Sequence, residues 1–337
     1  MTLEPVDIET IANSLVPSFN SQYDNNEEFS IFTTLRYDPL IYSDNSVPLL
    51  DAIDENPLNA SLFFLFNYHL EKLQRSGEFF SFKNINGLTE SVLLRHLTNA
   101  LQSKDRLTPH RIRITINREG EVDLTIGQIS IDDPIITVFP KPNAPIPPVD
   151  WSSNELQNND NESPITIQSS SLSVATIPYT LPYVVYVYPE FITPIPQTSF
   201  KTTIRDLHNK ARAYFSIPAP GHPPKGKYTN TQDVLLKTGT KSNTSYLETS
   251  ICSVFFHRLL THPTNGSQSW AWVTPPLASG CQDGATRRWI LDSFSGSKID
   301  NKNECEVKEG YVGDLKDGEI IMVVNALRGI RLGIVKL

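Results

Sequence analysis

Apolar and polar residues alternate strictly over residues 111–117, Arg-Ile-Arg-Ile-Thr-Ile-Asn, which predicts a half-buried strand. Glu119 and Gly120 turn the chain, and residues 122–126 return as the second arm of a hairpin. Residues 29–37 alternate well enough for a strand and stop at Asp38-Pro39, a turn signal. The period changes over residues 61–77, where Leu62, Phe66, His69, Leu70 and Leu73 recur at spacings of three and four. That predicts a helix with Gly77 as its stop. A second helix is expected over 87–101, with Leu93, Leu97, Ala100 and Leu101 inward. Residues 134–139 read as a strand, and 183–188, β-branched and aromatic, as a central one. Further strands are expected over 233–237, 245–256, 270–273 and 319–325, the last turning at Gly329 into a final strand. Helices are expected over 203–215, with Thr203 as N-cap, and over 287–291, opened by Thr286.

Composition changes at residue 140, where a proline-rich and then Ser/Asn-rich stretch poor in core formers begins. It divides the chain into an N-terminal domain over 1–139, a linker or insertion over 140–178 and a C-terminal domain over 179–337. With 337 residues, 39% of them hydrophobic, the chain has ample material for two cores. A net charge of −8 argues against nucleic acid and anionic membrane as partners. An anionic small molecule would need cations gathered locally around it. Three cysteines give neither a disulfide framework nor metal-ligand spacing, so no metal is expected and a reducing, cytoplasmic setting is. No apolar run is long enough to span a membrane, and the first residues do not read as a secretory signal.

Candidate chemistry gathers at four places. Gly280 and Gly284 lead into the helix opened by Thr286; a glycine turn feeding a helix start offers free N–H groups and the positive end of the dipole to an anion. Residues 325–326, at a strand end, offer a second such place. Lys201 stands just ahead of a predicted helix, where a neutral or imine-bonded amine is favoured over an ammonium. Glu248 sits among apolar neighbours in a predicted strand and needs a partner there. Each has a plainer reading: an ordinary strand–turn–helix link, a surface lysine, an edge-strand carboxylate facing water. The hairpin likewise places Arg111, Arg113 and Thr115 on one face, which reads as a solvated surface. Together, though, a lysine before a helix, a glutamate in a strand and two N–H-rich turns are the set that pyridoxal phosphate requires.

Six motifs in order resemble the class IV (fold type IV) pyridoxal-phosphate family of branched-chain aminotransferases, D-amino acid aminotransferases and 4-amino-4-deoxychorismate lyases. They are Phe-Thr-Thr-Leu-Arg at 32–36, His-Leu-Glu-Lys-Leu-Gln-Arg-Ser at 69–76, Phe-Lys-Thr-Thr-Ile-Arg at 200–205, Leu-Glu-Thr-Ser-Ile-Cys-Ser-Val-Phe-Phe at 247–256, the phosphate turn over 274–287, and Asn-Ala-Leu-Arg-Gly at 325–329. The resemblance implies an α+β fold of two α/β domains with the cofactor cleft between them, and a homodimer. It implies Lys201 as the Schiff-base and proton-transfer lysine, and Glu248 as the partner of the pyridine nitrogen. It further implies Ala285, Thr286, Asn325 and Ala326 as phosphate contacts. Two positions depart from the pattern. Lys72 stands where the family usually has a phosphate-binding arginine, a role Arg75 one turn on could take. Cys252 and Ser253 stand where many relatives have a small residue and an asparagine. The Asn-Ala-Leu-Arg-Gly turn, the insertion and the Phe-Thr-Thr-Leu-Arg segment look most like the lyases, of the fungal type. For the substrate's carboxylates, Arg36, Arg113 and Lys241 are the candidate cations. A class IV aminotransferase and a non-catalytic relative are the alternatives.

Overall fold

The computed structural model describes residues 29–41, 53–129, 135–137, 183–193, 195–218, 232–261, 266–294 and 306–337, and all that follows concerns these. The expected linker over 140–178 lies outside them. Two sheets organise the chain. The smaller has the order β1 (Ser30–Tyr37), β2 (His110–Asn117), β3 (Val122–Gln128), antiparallel throughout, with Ser30 opposite Asn117 and Tyr37 opposite His110. Its isoleucines 112, 114 and 116 are fully buried and pack with Ile31 and Leu35 of β1 against two helices, α1 (Phe66–Phe79) and α2 (Glu90–Leu101).

The larger sheet has eight strands: β4 (Tyr183–Ile192), β5 (Gln232–Thr240), β6 (Asn243–Thr249), β7 (Ser253–Thr261), β8 (Gln268–Thr274), β9 (Glu306–Glu309), β10 (Ile320–Asn325) and β11 (Gly329–Lys336). Their order is β6-β5-β4-β11-β10-β7-β8-β9. Central β10 and β11 are buried along nearly their whole length, as strands covered on both faces must be. Helices α3 (Asp206–Tyr214) and α4 (Ala285–Phe294) accompany the larger sheet.

Five expectations need correction, each for a local reason. The first helix starts at Phe66, because residues 60–62 form a separate 3-10 turn and Leu65 turns left-handed at φ 57°. It also runs past Gly77, which is no stop: a Cβ there would lie 2.3 Å from Ile85 Cγ1, so glycine lets the following turn pack onto the helix. The second helix starts at Glu90, capped by Thr89 Oγ1 accepting the Val92 N–H at 3.3 Å; Leu94 is buried in it, and Ala100 only partly so. Thr203 caps no helix. Its N–H and hydroxyl both donate to the Ser30 carbonyl, and its hydroxyl accepts the Ser30 N–H, so α3 starts three residues later. The long strand over 245–256 is two strands, β6 and β7, on different parts of the sheet. Asp233, fully buried, breaks it by accepting the Thr249 and Ser250 hydroxyls, both at 2.5 Å. Of the strand expected over 134–139, the described part reduces to a single bridge from Ile136 to Gly329. Strand β9 has no counterpart in the sequence reading.

Gly77 and Gly87 give a matched test. Alanine at Gly77 must displace Ile85, whereas Gly87 has open space around it. Gly77→Ala should destabilise by about 1 kcal/mol or more even after the helix preference of alanine is counted. Gly87→Ala should be neutral or mildly stabilising in the same urea titration. Equal midpoints for the two variants would refute the packing account.

Candidate active site

The loop carrying Lys201 is stitched to the smaller sheet on both sides. Phe200 packs on Phe79 and Phe80, with ring centroids 4.2 and 5.3 Å apart. The Phe32 N–H donates to the Lys201 carbonyl at 2.8 Å, and Thr202 bridges to Ile31. Downstream the chain enters α3, which packs on β5 of the larger sheet. Lys201 is thereby held where the two sheets face each other.

A cavity of about 460 Å³ opens there, within the usual range for ligand sites. Lys201, Glu248, Lys72, Ala285, Thr286, Asn325 and Ala326 all line it, as does Arg113. Of the sequence candidates, three lie elsewhere. Arg36 is buried against Asp38 at 2.8 Å and donates to the Leu327 carbonyl at 2.9 Å. Arg75 is half-exposed and paired with Asp283, so Lys72 rather than Arg75 faces the cavity. Lys241 is exposed at the turn between β5 and β6.

Glu248 does not face water: it is 3% exposed. Its Oε2 accepts the Gln282 N–H at 3.0 Å, and its Oε1 lies 3.3 Å from His208 Nε2. Burial pushes the His208 pKa down, so this is a neutral imidazole donating one hydrogen bond. Lys201 is held low, to about 7, by burial first, then by the charges of Lys72 and Arg205. Burial likewise lowers Lys72, to about 8. No carboxylate lies within ion-pair distance of Lys72 among the described residues.

Helix α4 points its N-terminus at the cavity from Gly284, where a Cβ would come 2.6 Å from Ser253 Oγ. Thr286 is 2% exposed and its hydroxyl has no partner among the described residues. At the β10–β11 turn, Asn325 Oδ1 accepts the N–H groups of Leu327 and Arg328, both at 3.0 Å. Gly329 closes that turn at φ 67°; a side chain there would strike the Ile136 carbonyl at 2.1 Å.

Several lining residues lay in the quoted motifs but were given no role in the site. Arg205 donates to the Ser250 carbonyl at 2.5 Å and lines the cavity, as do Arg328, Arg287, His69 and Ser253. His69 Nδ1 bonds to Thr33 Oγ1 at 2.6 Å, while its Nε2 has no partner among the described residues. Arg205, His208 and Arg212 recur at three and four along α3, a polar stripe on the face that turns inward; that spacing was the available signal.

The depressed lysines set a pH dependence. An amine whose folded pKa lies below its unfolded value binds protons more weakly when folded, so stability rises with pH between the two values. For Lys201 the window runs from about 7 to the ordinary value of 10.5. In cofactor-free protein the urea midpoint should climb across that window, aided by Lys72 above about 8. Lys201→Met should raise the midpoint at pH 7 and flatten the climb; an unchanged profile would rule the assignment out.

No family model and no curated protein matches the chain in sequence. Solved structures do match. A Mesorhizobium loti protein provisionally assigned as an amino-acid aminotransferase is 17% identical with TM-score 0.51, covering 91% of this chain and 100% of that one. A hypothetical aminotransferase from Mycobacterium tuberculosis in a PLP-bound form is 9% identical with TM-score 0.50, over 93% and 83%. A Legionella pneumophila protein provisionally assigned as 4-amino-4-deoxychorismate lyase is 14% identical over 93% and 84%, with TM-score 0.49. At such identities the likeness speaks for the fold. The chain has the α+β fold of the class IV, fold type IV pyridoxal-phosphate enzymes.

Proposed function

We propose that the chain is a pyridoxal-phosphate enzyme and that its reaction is that of a 4-amino-4-deoxychorismate lyase, releasing pyruvate and 4-aminobenzoate. The observation that carries the reading is one buried amine, Lys201, sharing a cavity with a doubly hydrogen-bonded carboxylate, Glu248, and a helix start. The residues present fit the cofactor. Among the described residues the Thr286 hydroxyl has no partner and no carboxylate pairs directly with Lys72, and Gly284 keeps the helix start open. Those groups, with the N–H of Ala285 and the turn at Asn325 and Ala326, would hold the phosphate. Lys72 would do so as a point charge, without an arginine's fork. Glu248 would hold the pyridine nitrogen.

When bound, pyridoxal phosphate supplies an aldehyde carbon that bonds to amines and a ring that takes up electrons. The chain's own residues do the rest. With its pKa held low, to about 7, by burial and neighbouring cations, the Lys201 amine would remove the proton from the substrate carbon that bears the nitrogen. His208 and the Gln282 N–H fix Glu248 in orientation. The carbon–oxygen bond to the enolpyruvyl group then breaks, the ring becomes aromatic, and Lys201 Nζ returns a proton to the departing fragment.

The lyase reading is supported by the excess of cations. Lys72, Arg111, Arg113, Arg205 and Arg328 line the cavity with one carboxylate, Glu248, in a chain of net charge −8, while Arg287 there is already paired with Glu309. A phosphate and a dicarboxylate would neutralise most of them. Amino transfer is the second reading, since glutamate is also a dicarboxylate and two of the similar structures are assigned as aminotransferases. A homodimer belongs to the same proposal.

Purified protein with added cofactor should absorb near roughly 410–430 nm, and Lys201→Ala should lose that band. Holoenzyme given 4-amino-4-deoxychorismate should form pyruvate and 4-aminobenzoate in equal amounts. Turnover only with an amino acid plus 2-oxoglutarate would establish the transferase instead. A protein that takes up no cofactor would be a non-catalytic relative.

A further inference from the structure

Lys72 sits where an ammonium is hard to keep. It is 6% exposed and lines the cavity, and an amine, unlike a guanidinium, gives up its proton when it is desolvated. Charged groups face it from several elements. On α1 stand Arg75 and His69, the latter neutral because burial holds its pKa at about 3. Arg205 and Lys201 reach in from the chain ahead of α3, Glu248 from β6, and Asp283 from the turn ahead of α4. The two carboxylates favour the charged amine, whereas Arg75 and Arg205 oppose it. Glu248 is already committed to the Gln282 N–H and to His208. Asp283 is the support that remains.

Asp283 is built into the seam between α1 and α4. Its Oδ2 takes the Arg75 guanidinium and lies 3.9 Å from Arg288 Nε. Its Oδ1 lies 4.0 Å from Arg287 Nη1, is buried, and has no hydrogen-bond partner among the described residues. Glu71 on α1 ties Arg288 on α4 at 2.6 Å, so the seam is held at a second point. The Asp283 side chain is 13% exposed, so solvent screens its charge little. It directly precedes Gly284, Ala285 and Thr286, the helix start that faces the cavity. A carboxylate there would by itself repel an anionic ligand. Its place is understandable if its effect on Lys72 outweighs that repulsion.

We propose that Asp283 is a positioning residue for the anion site: held by Arg75, its carboxylate secures the ammonium of Lys72, and with it the grip on a phosphate at alkaline pH. This rests on the cofactor site proposed above and names what regulates that site. An arginine at 72 would stay charged whatever surrounds it, whereas a lysine makes the grip depend on its neighbours.

Inorganic phosphate is the probe. The quantity read is the rise in urea midpoint it brings to cofactor-free protein, over a chloride control of equal ionic strength, from about pH 7 to the ordinary lysine value of 10.5. In the wild type that rise should shrink as pH climbs past about 8, where Lys72 loses its proton; Lys201, held to about 7, has lost its own by then. Asp283→Asn should move the fall downward by about one pH unit, as loss of a neighbouring opposite charge implies. Arg75→Gln severs the same ion pair but removes a like charge, so its fall should move upward. Lys72→Arg should hold phosphate without the fall, and adding Asp283→Asn to it should shift nothing. A downward shift in both Asp283→Asn and Arg75→Gln would make Asp283 a mere strut and overturn the proposal. So would a wild type that gains nothing from phosphate, or a fall that persists in Lys72→Arg. Should Asp283→Asn fail to fold, Arg75→Gln and Lys72→Arg decide on the same terms. A protein that shows these shifts yet takes up no pyridoxal phosphate would sink the cofactor reading alone. One whose cofactor uptake keeps its wild-type pH profile in Asp283→Asn would sink the role of Asp283 alone.

Discussion

The short loop over 200–203 is where the two halves of the molecule meet. Its backbone bonds to β1 through Lys201 and Thr203, and Phe200 anchors it in the smaller core. Each backbone bond contributes only about 1 kcal/mol net. Their collective effect is positional. They place the Lys201 carbonyl against one sheet while the next helix is docked on the other, so the side chain has one direction left, into the cavity. Everything proposed for the amine follows from this stitching, because burial and the neighbouring cations that hold it near neutral basicity exist only there.

A second constraint works at a distance from the chemistry. Asp233 is fully buried at the start of β5 and accepts from Thr249, Ser250, its neighbour's N–H and Arg212. A buried carboxylate needs such company. The hydroxyls it captures are those that follow Glu248, so the knot bends the chain immediately after the residue whose direction matters most. Strand β7 then departs to the far side of the sheet. Deleting this one acceptor would leave several buried donors unsatisfied, which is why the corner is built from charge and hydroxyls rather than from apolar packing.

Much of this was legible in the sequence. The hairpin of β2 and β3, the amphipathic α1, the β-branched and aromatic β4 and the turn into α4 all announce themselves by period and punctuation. So did Lys201, Glu248 and Thr286, since each is chemically out of place in its local pattern. What escaped notice was set by tertiary structure. Thr203 looked like a helix cap because a hydroxyl ahead of a helix usually is one, yet its partner is Ser30, far away in sequence. The strand over 245–256 looked continuous because β propensity does not register a carboxylate on another strand. Gly77 looked like a stop because only the fold reveals Ile85 beside it. The arginines of β2 looked solvated because alternation assigns faces without saying which face meets water.

The crowding of like charge around the cavity has a bearing on how long the polypeptide lasts. Cations held close together repel one another, and burial of their charges opposes folding. An anion that settles among them removes that opposition and binds the folded chain alone. Vitamin supply would then govern not only how much of the population works but how much of it survives proteolytic surveillance, with unliganded chains opening, and being cleared, first.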